Sequence, residues 1–318
     1  MDFQDILPEA QKICEEFLMK YADGTIIIRG ATATGKSKLS VLLSDFFDTE
    51  IISADSRQIF RKMDIGTDKI PAEIRAKIPH HQIDIVNPED SYTAGQRKDG
   101  TERAIEGILQ RNRIPIVVGG TGLYIDTIYK NFSMPECPPN PELREQLQAK
   151  EDEKAGYLYE ELMKIDPEEA QKLHPNSHRY LIRALEIFHG TGMTKTENFQ
   201  QQKVIHPLLM LGLWREKEET NKRINARIKE MLKGGLIEEV QGLLDEGYSK
   251  DLQSMQGIGY KEVVGYLERN YDQEKMEEEL RRNTHYLAKK QRTWFRRYIA
   301  EGIQAPRENV EYKVWNLG

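Results

Sequence analysis

The sequence predicts an α/β fold, a mainly parallel sheet with helices on both faces, carrying a separate helical insertion. Three observations predict it. Short apolar runs ending in small or polar residues alternate with helical stretches, one such run leads directly into GATATGKS, and the composition changes abruptly at MPECPPNPE. Strands joined by helical crossovers lie parallel, and ligands of such sheets gather at the strand carboxyl ends.

Taken in order, residues 1–23 read as an amphipathic N-terminal helix with Ile6, Ile13, Phe17 and Leu18 near one side. Residues 24–131 form the first part of the core. TIIIRG reads as a buried strand, KLSVLLSDFF as a helix, and EIISADS and IPIVVGG as further strands. His80 and His81 precede a fourth apolar run, IDIV, read as a strand. Residues 132–203 are charged and helical in pattern and read as the insertion. Residues 204–318 return to the core with HPLLMLGL as a strand. An amphipathic helix around Asn221 to Glu246 follows, then one long helix over MEEELRRNTHYLAKKQRTWFRRYIA.

The chain has 318 residues, enough for a full apolar core without disulfide staples. Its two cysteines, Cys14 and Cys137, match no metal or redox spacing. No secretory leader pattern or membrane-length apolar stretch is present, which sets the expectation of a cytoplasmic enzyme. The net charge of -6 argues against a protein that coats nucleic acid non-specifically.

Gly30, Ala31, Thr32, Ala33, Thr34, Gly35, Lys36 and Ser37 satisfy GxxxxGK[ST] between a predicted strand and a predicted helix. The core is therefore expected to be a P-loop, NTPase/kinase-like three-layer domain. Backbone N–H groups of such a loop and the helix N-terminus cradle an anion, Lys36 supplies a point charge for a diphosphate, and Ser37 offers a hydroxyl to Mg²⁺. A nucleotide-hydrolysing enzyme usually adds an Asp at the end of an apolar strand. Here the corresponding strand ends in Gly119-Gly120-Thr121-Gly122, which weakens the ordinary NTPase or kinase reading.

Asp55 follows a predicted strand and, if that strand neighbours the phosphate loop, stands beside the bound phosphates. A carboxylate there can orient or deprotonate a weakly nucleophilic amine; it can equally be a capping residue. Thr121 can donate to a leaving phosphate oxygen or cap a helix. Gln58 carries the donor and acceptor needed to read a purine edge.

GATATGKS, ISADSRQIF, MDIGTDKI, PHHQIDIV, VVGGTGLY, HPNSHRYLIRALEI, QGIGYKE and AKKQRTWFR, in this order, resemble the tRNA dimethylallyltransferases, also called tRNA isopentenyltransferases, of bacterial type. The resemblance covers roughly residues 24–300. It implies a phosphate-loop core that does not hydrolyse ATP, dimethylallyl diphosphate as donor, Mg²⁺ as cofactor, and tRNAs reading codons that begin with U. The implied acceptor is the adenosine immediately 3′ of the anticodon. Asp55 matches the family's base and Thr121 the threonine at the donor's bridging oxygen. Lys36, with the backbone of Thr32 to Gly35, matches the pyrophosphate cradle, and Arg223 an arginine reaching the pyrophosphate from the other side. Ser56 and Gln58 match positions near the flipped adenine, and His80 and His81 help shape that pocket. The chain departs from the family pattern at Lys217, Thr220-Asn221, Thr284-His285, Lys290 and Ser177; a lysine at 217 keeps the charge but loses a bidentate fork.

The tail supports a tRNA acceptor. From Arg281 to Arg297 there is no Asp or Glu, and on a helix Arg282, His285, Lys289, Arg292 and Arg296 share one broad face, with Lys290 beside it. That face can track tRNA phosphates, while Leu287 and Trp294 are expected to point at the core. The adenine must leave its stack to reach a buried allylic carbon. The nearest alternative is an adenylate isopentenyltransferase acting on free AMP, ADP or ATP, and the expected acting unit is a monomer.

Overall fold

The computed structural model describes residues 3–200, 202–304 and 308–317. They form two compact units, Met1–Tyr129 with Val204–Gly318, and Lys130–Lys203. In the larger unit six strands, β1 (Thr25–Gly30), β2 (Thr49–Ser53), β3 (His80–His81), β4 (Ile114–Gly119), β5 (Leu208–Trp214) and β6 (Val310–Asn316), make one sheet in the order β3-β2-β4-β1-β5-β6. Every adjacent pair is parallel, so all carboxyl ends meet at one edge.

Alternation along the strands builds the two apolar layers. Ile26 and Ile28 face a core made with α1 (Phe3–Lys20) and α2 (Lys36–Leu43). Ile27, Ile52, Val117 and Met210 face the other side, under α4 (Ala94–Gln110) and α5 (Gly122–Tyr129). The short α3 (Ala72–Lys77) precedes β3. Helix α1 buries Phe3, Ile6, Ala10, Cys14 and Phe17, a stripe at three- and four-residue spacing. Burial pushes the Cys14 thiol up to about 12, so it is a core residue rather than a reactive one.

The smaller unit contains α6 (Pro141–Glu153), α7 (Tyr157–Ile165), α8 (Pro167–Lys172), α9 (His178–Thr191) and α10 (Lys195–Asn198) around Leu147, Leu158, Leu162, Leu181 and Leu185. Asn140 caps α6 ahead of a proline in the first turn, and Asp166 caps α8 in the same way. Glu186 is the polar hub: burial works to raise its pKa, but paired bonds from Arg144 at 2.8 Å, the Asn140 N–H and Arg183 hold the carboxyl at about 2.

Beyond β5 come α11 (Lys217–Lys233), α12 (Leu236–Asp245), α13 (Tyr260–Leu267) and α14 (Gln273–Gln304). The single helix expected from Asn221 to Glu246 is two. Gly234-Gly235 breaks it, and Gly235 at φ +99° takes a left-handed conformation that ends one helix and starts the next. The strand expected over IDIV is also absent. His80–His81 is the strand instead, and Val86 makes only an isolated bridge to Phe60. Strand β6 had no counterpart in the sequence reading. Its residues, VEYKVWN, mix charge with apolar groups because only Val310 and Trp315 are buried at this sheet edge.

Candidate active site

The phosphate loop leaves β1 through positions that exclude larger side chains. A Cβ on Gly30 would lie 2.4 Å from the Leu213 carbonyl oxygen, and one on Gly35, at φ +98°, would lie 2.2 Å from the Phe3 ring. Inside the loop Thr34 Oγ1 donates to the Ala31 carbonyl at 2.9 Å, and Lys36 Nζ donates to the same oxygen at 2.7 Å. Helix α2 begins at Lys36 with Gly35 as its N-cap and no side-chain cap bond, so its first N–H groups open on the loop. Burial, and then the neighbouring Arg227, lower the Lys36 pKa to about 8, while Asp55 and Asp68 oppose the shift. This is an ammonium short of negative charge.

The second wall comes from β2 and β4. Strand β4 lies between β1 and β2, so the strand bearing Asp55 does not adjoin the loop's strand as expected. Asp55 still reaches the same cavity because β4 ends in glycines. A Cβ on Gly119 would sit 2.3 Å from the Ala54 carbonyl, and any side chain there would force the strand ends apart. Asp55 Oδ1 accepts the Arg57 backbone N–H at 2.8 Å, a bond that turns the chain and fixes the carboxylate. Arg97, 2% exposed, donates to the carbonyls of Asp55 at 2.7 Å and Ser53 at 2.5 Å. Thr121 stands at the start of α5, its carbonyl accepting from Tyr124 and Ile125 N–H; it is next in the chain to the cavity lining, which at this end is Val118, Gly119 and Gly120.

Two helices close the opposite side. From α11, Arg223 Nε donates to the Ala33 carbonyl at 2.9 Å, and Arg227 Nη1 reaches Thr32 Oγ1 at 3.2 Å and Asp68 Oδ2 at 2.8 Å. From α14, Gln291 Oε1 accepts the Thr32 N–H at 2.8 Å while its Nε2 donates to the Gly120 carbonyl at 3.0 Å, tying the loop to the β4 end. The cavity between these walls, about 260 Å³ and open to solvent, is lined by Lys36, Ser37, Asp55, Gln58, Asp68, His80, Arg223, Arg227 and Gln291 among others. It joins a cationic floor to one strand-end carboxylate.

The remaining predicted residues divide. Gln58 lines the cavity, accepts from Ser53 Oγ at 2.8 Å and donates to the Thr67 and Asp68 carbonyls at 3.2 Å, so its amide orientation is set. His80 lines it too; its Nδ1 lies 2.6 Å from the Ile78 carbonyl, its Nε2 is buried with no hydrogen-bond partner, and burial lowers its pKa. His81 points elsewhere, with Nε2 2.6 Å from buried Glu50, a carboxylate that also binds Arg111 and Arg113. Period-two alternation in a strand explains why adjacent histidines part company. Ser56 is half-buried beside Asp55.

On α14, Arg282, Lys289, Lys290 and Arg296 are exposed, Arg292 is half-buried, and His285 Nε2 lies 2.9 Å from Asn225 Oδ1 of α11. Lys217, exposed at the first turn of α11, acts electrostatically on His285. The buried side of α14 is Met276, Leu280, Ala288, Phe295 and Tyr298; Leu287 is 37% exposed rather than core, since it sits between the buried turns. Trp294 packs against Gly122, where a Cβ would lie 2.2 Å from its ring. Sequence reasoning missed Arg97, Asp68, Arg227 and Gln291. Arg227 was within reach, since it follows Arg223 by one helical turn; Gln291 and Arg97 carried no local signal.

Fold and site define a phosphate-loop α/β protein whose anion cradle faces a carboxylate across one cavity. The family model described as IPP transferase matches residues 58–298. The tRNA dimethylallyltransferase of Halothermothrix orenii is 47% identical over 86% of this chain and 84% of its own length. Among solved structures, the full-length tRNA isopentenylpyrophosphate transferase of Bacillus halodurans aligns with a TM-score of 0.65 at 38% identity, covering 92% of this chain and 90% of its own. A eukaryotic dimethylallyltransferase acting on tRNA aligns with a TM-score of 0.76 at 29% identity, covering 92% and 73%. The chain belongs to the IPP transferase family.

Proposed function

We propose that this protein transfers a dimethylallyl group from dimethylallyl diphosphate to N6 of the adenosine immediately 3′ of the anticodon, in tRNAs reading codons that begin with U. The observation that carries the reading is the single cavity in which Asp55 faces Lys36, Arg223 and Arg227. The diphosphate lies on the loop, and its charge supplies what buried Lys36 lacks. N6 attacks the primary allylic carbon, the carbon–oxygen bond breaks, and the electron pair leaves with diphosphate. Asp55 takes the N6 proton. Thr121, Lys36 and the two arginines stabilise the charge growing on the leaving oxygen. Ser56, Gln58 and His80 border the space for the extruded base.

Mg²⁺ fits this donor set. Ser37 lines the cavity beside Lys36, as do Asp55 and Asp68, and a cation bound chiefly through diphosphate oxygens and water needs only one or two protein ligands. Bound there, Mg²⁺ neutralises diphosphate charge. The exposed residues of α14, with Lys217, form the surface for tRNA phosphates. Among the described residues no helix is long and apolar enough to cross a membrane.

The test is incubation of the full chain with Mg²⁺, labelled dimethylallyl diphosphate and either unmodified tRNA or free AMP, followed by mass analysis of nucleosides. Label in N6-prenylated adenosine of tRNA is the expected result. Label on AMP alone selects the adenylate isopentenyltransferase, and label on neither overturns prenyl transfer.

A further inference from the structure

Behind the phosphate loop, on the face of the sheet away from α1, lies a second cationic feature that the transfer reaction does not use. Arg29 stands in central strand β1 and is 2% exposed. In register it lies between Gly119 of β4 and Gly212 of β5, so neither neighbouring strand places a side chain beside it. Its guanidinium rests over the rings of Tyr298 at 4.6 Å and Phe295 at 5.7 Å, both from α14. Its Nε and Nη2 are buried with no hydrogen-bond partner. Burial pulls its pKa down to about 10, opposed among the described residues by Tyr298, Tyr312 and Tyr129, which leaves it charged at neutral pH.

A small cavity of about 10 Å³ opens at this point, room for roughly one water-sized particle. Arg29, Arg215 and Arg292 line it, no Asp or Glu does, and its far wall is Gly30, Ala31 and Thr34 of the phosphate loop. Arg215 is engaged by carbonyls, donating to Leu317 O at 2.9 Å and Thr34 O at 3.4 Å. Arg292 Nη1 is buried without a partner, and Glu216 and Glu218 offset its charge from α11 and the residue before it. Among the described residues, the charges acting on Arg29 in this way are the tyrosines Tyr298, Tyr312 and Tyr129 and no carboxylate. Ring faces compensate part of a buried cation. A water molecule satisfies N–H geometry but leaves the charge, and a buried unpaired charge is strongly unfavourable.

We propose that this cavity binds one small monovalent anion of halide size, held by the free N–H groups of Arg29 and Arg292. The anion sits on the back of the loop whose front binds diphosphate, and it neutralises Arg29 without entering the reaction.

The test is the thermal unfolding midpoint of the full chain at constant ionic strength in sodium chloride, sodium bromide or sodium gluconate, whose anion is too large for the space. Halide is expected to raise the midpoint by about 2–4 °C in the wild type. The front of the loop also attracts anions, so Lys36→Met is run alongside and is expected to keep the halide effect. Arg29→Met is expected to lose it. If Arg29→Met fails to fold, Gly212→Ala decides: its added methyl, 3.4 Å from Arg29 Cζ and 3.0 Å from Val314 Cγ2, fills the space while leaving every charge in place, and the effect should vanish. No halide effect in the wild type, an effect lost only in Lys36→Met, or one that survives in Gly212→Ala overturns the proposal.

Discussion

The strand-end wall of the active cavity places its groups through the main chain, whereas the helical wall reaches in with long side chains. Lys36 and Asp55 each lie at most two residues beyond a strand end or a left-handed loop position, and each is pinned, by the Ala31 carbonyl and the Arg57 N–H. Arg223, Arg227 and Gln291 cross from α11 and α14 on flexible arms to the loop's outer atoms. The difference teaches where precision is needed. Proton transfer and leaving-group charge tolerate little misplacement, so their groups sit just past a strand end and at the close of the phosphate loop, while an electrostatic clamp can adapt.

If that division is right, the strand-end substitutions lower turnover and the helical ones weaken donor binding. Asp55→Asn should cut kcat by about 10²–10⁴-fold, the range for a positioned proton acceptor, with KM for the diphosphate nearly unchanged; steady-state kinetics on unmodified tRNA reads both. A rise in KM alone would erase the distinction between the walls. Lys36→Met should lower kcat/KM by about 10²–10³-fold, as loss of one preorganised charge at a leaving oxygen does. Arg223→Ala and Arg227→Ala should each raise the diphosphate KM about tenfold. The double variant should fall short of the product, because both arms grip the same loop. Gln291→Ala, which leaves the Thr32 N–H without its acceptor, should cost about 1 kcal/mol in unfolding free energy and change KM only a few-fold.

The pH dependence probes the same wall. Below its folded pKa of about 8 Lys36 is charged, and above it the ammonium is lost unless an anion restores it. Inorganic diphosphate binding near pH 9 should therefore take up a proton, visible by calorimetry in buffers of different ionisation enthalpy and absent in Lys36→Met. The sign for stability is the reverse of a salt-bridged lysine. The folded pKa is depressed, the unfolded chain binds more protons between about 8 and 10.5, and Lys36 lends relative stability as pH rises through that window.

Legibility followed locality. The strands TIIIRG, EIIS and IPIVVG, the loop joining β1 to α2 and the long α14 are each signalled by a contiguous pattern, and all are present. Strand β6 and the two-residue β3 are edge elements too short or too polar for a pattern to mark. Within the cavity Lys36 announces itself through a motif, whereas Gln291 and Arg97 are single polar residues whose partners lie 259 and 42 positions away.

What the sequence determined by itself was a phosphate loop at a strand end, the resemblance carried by eight ordered motifs, and the alternation that sorts residues between the two sheet faces. What only the tertiary structure decided was the strand order that puts β4 between β1 and β2, the parting of His80 from His81, and the convergence of α11 and α14 on one loop. Local geometry and periodicity are properties of a few consecutive residues, but these placements depend on which distant backbone leaves room, here the glycines at 119, 120 and 212, and no window of sequence contains both sides of such a contact.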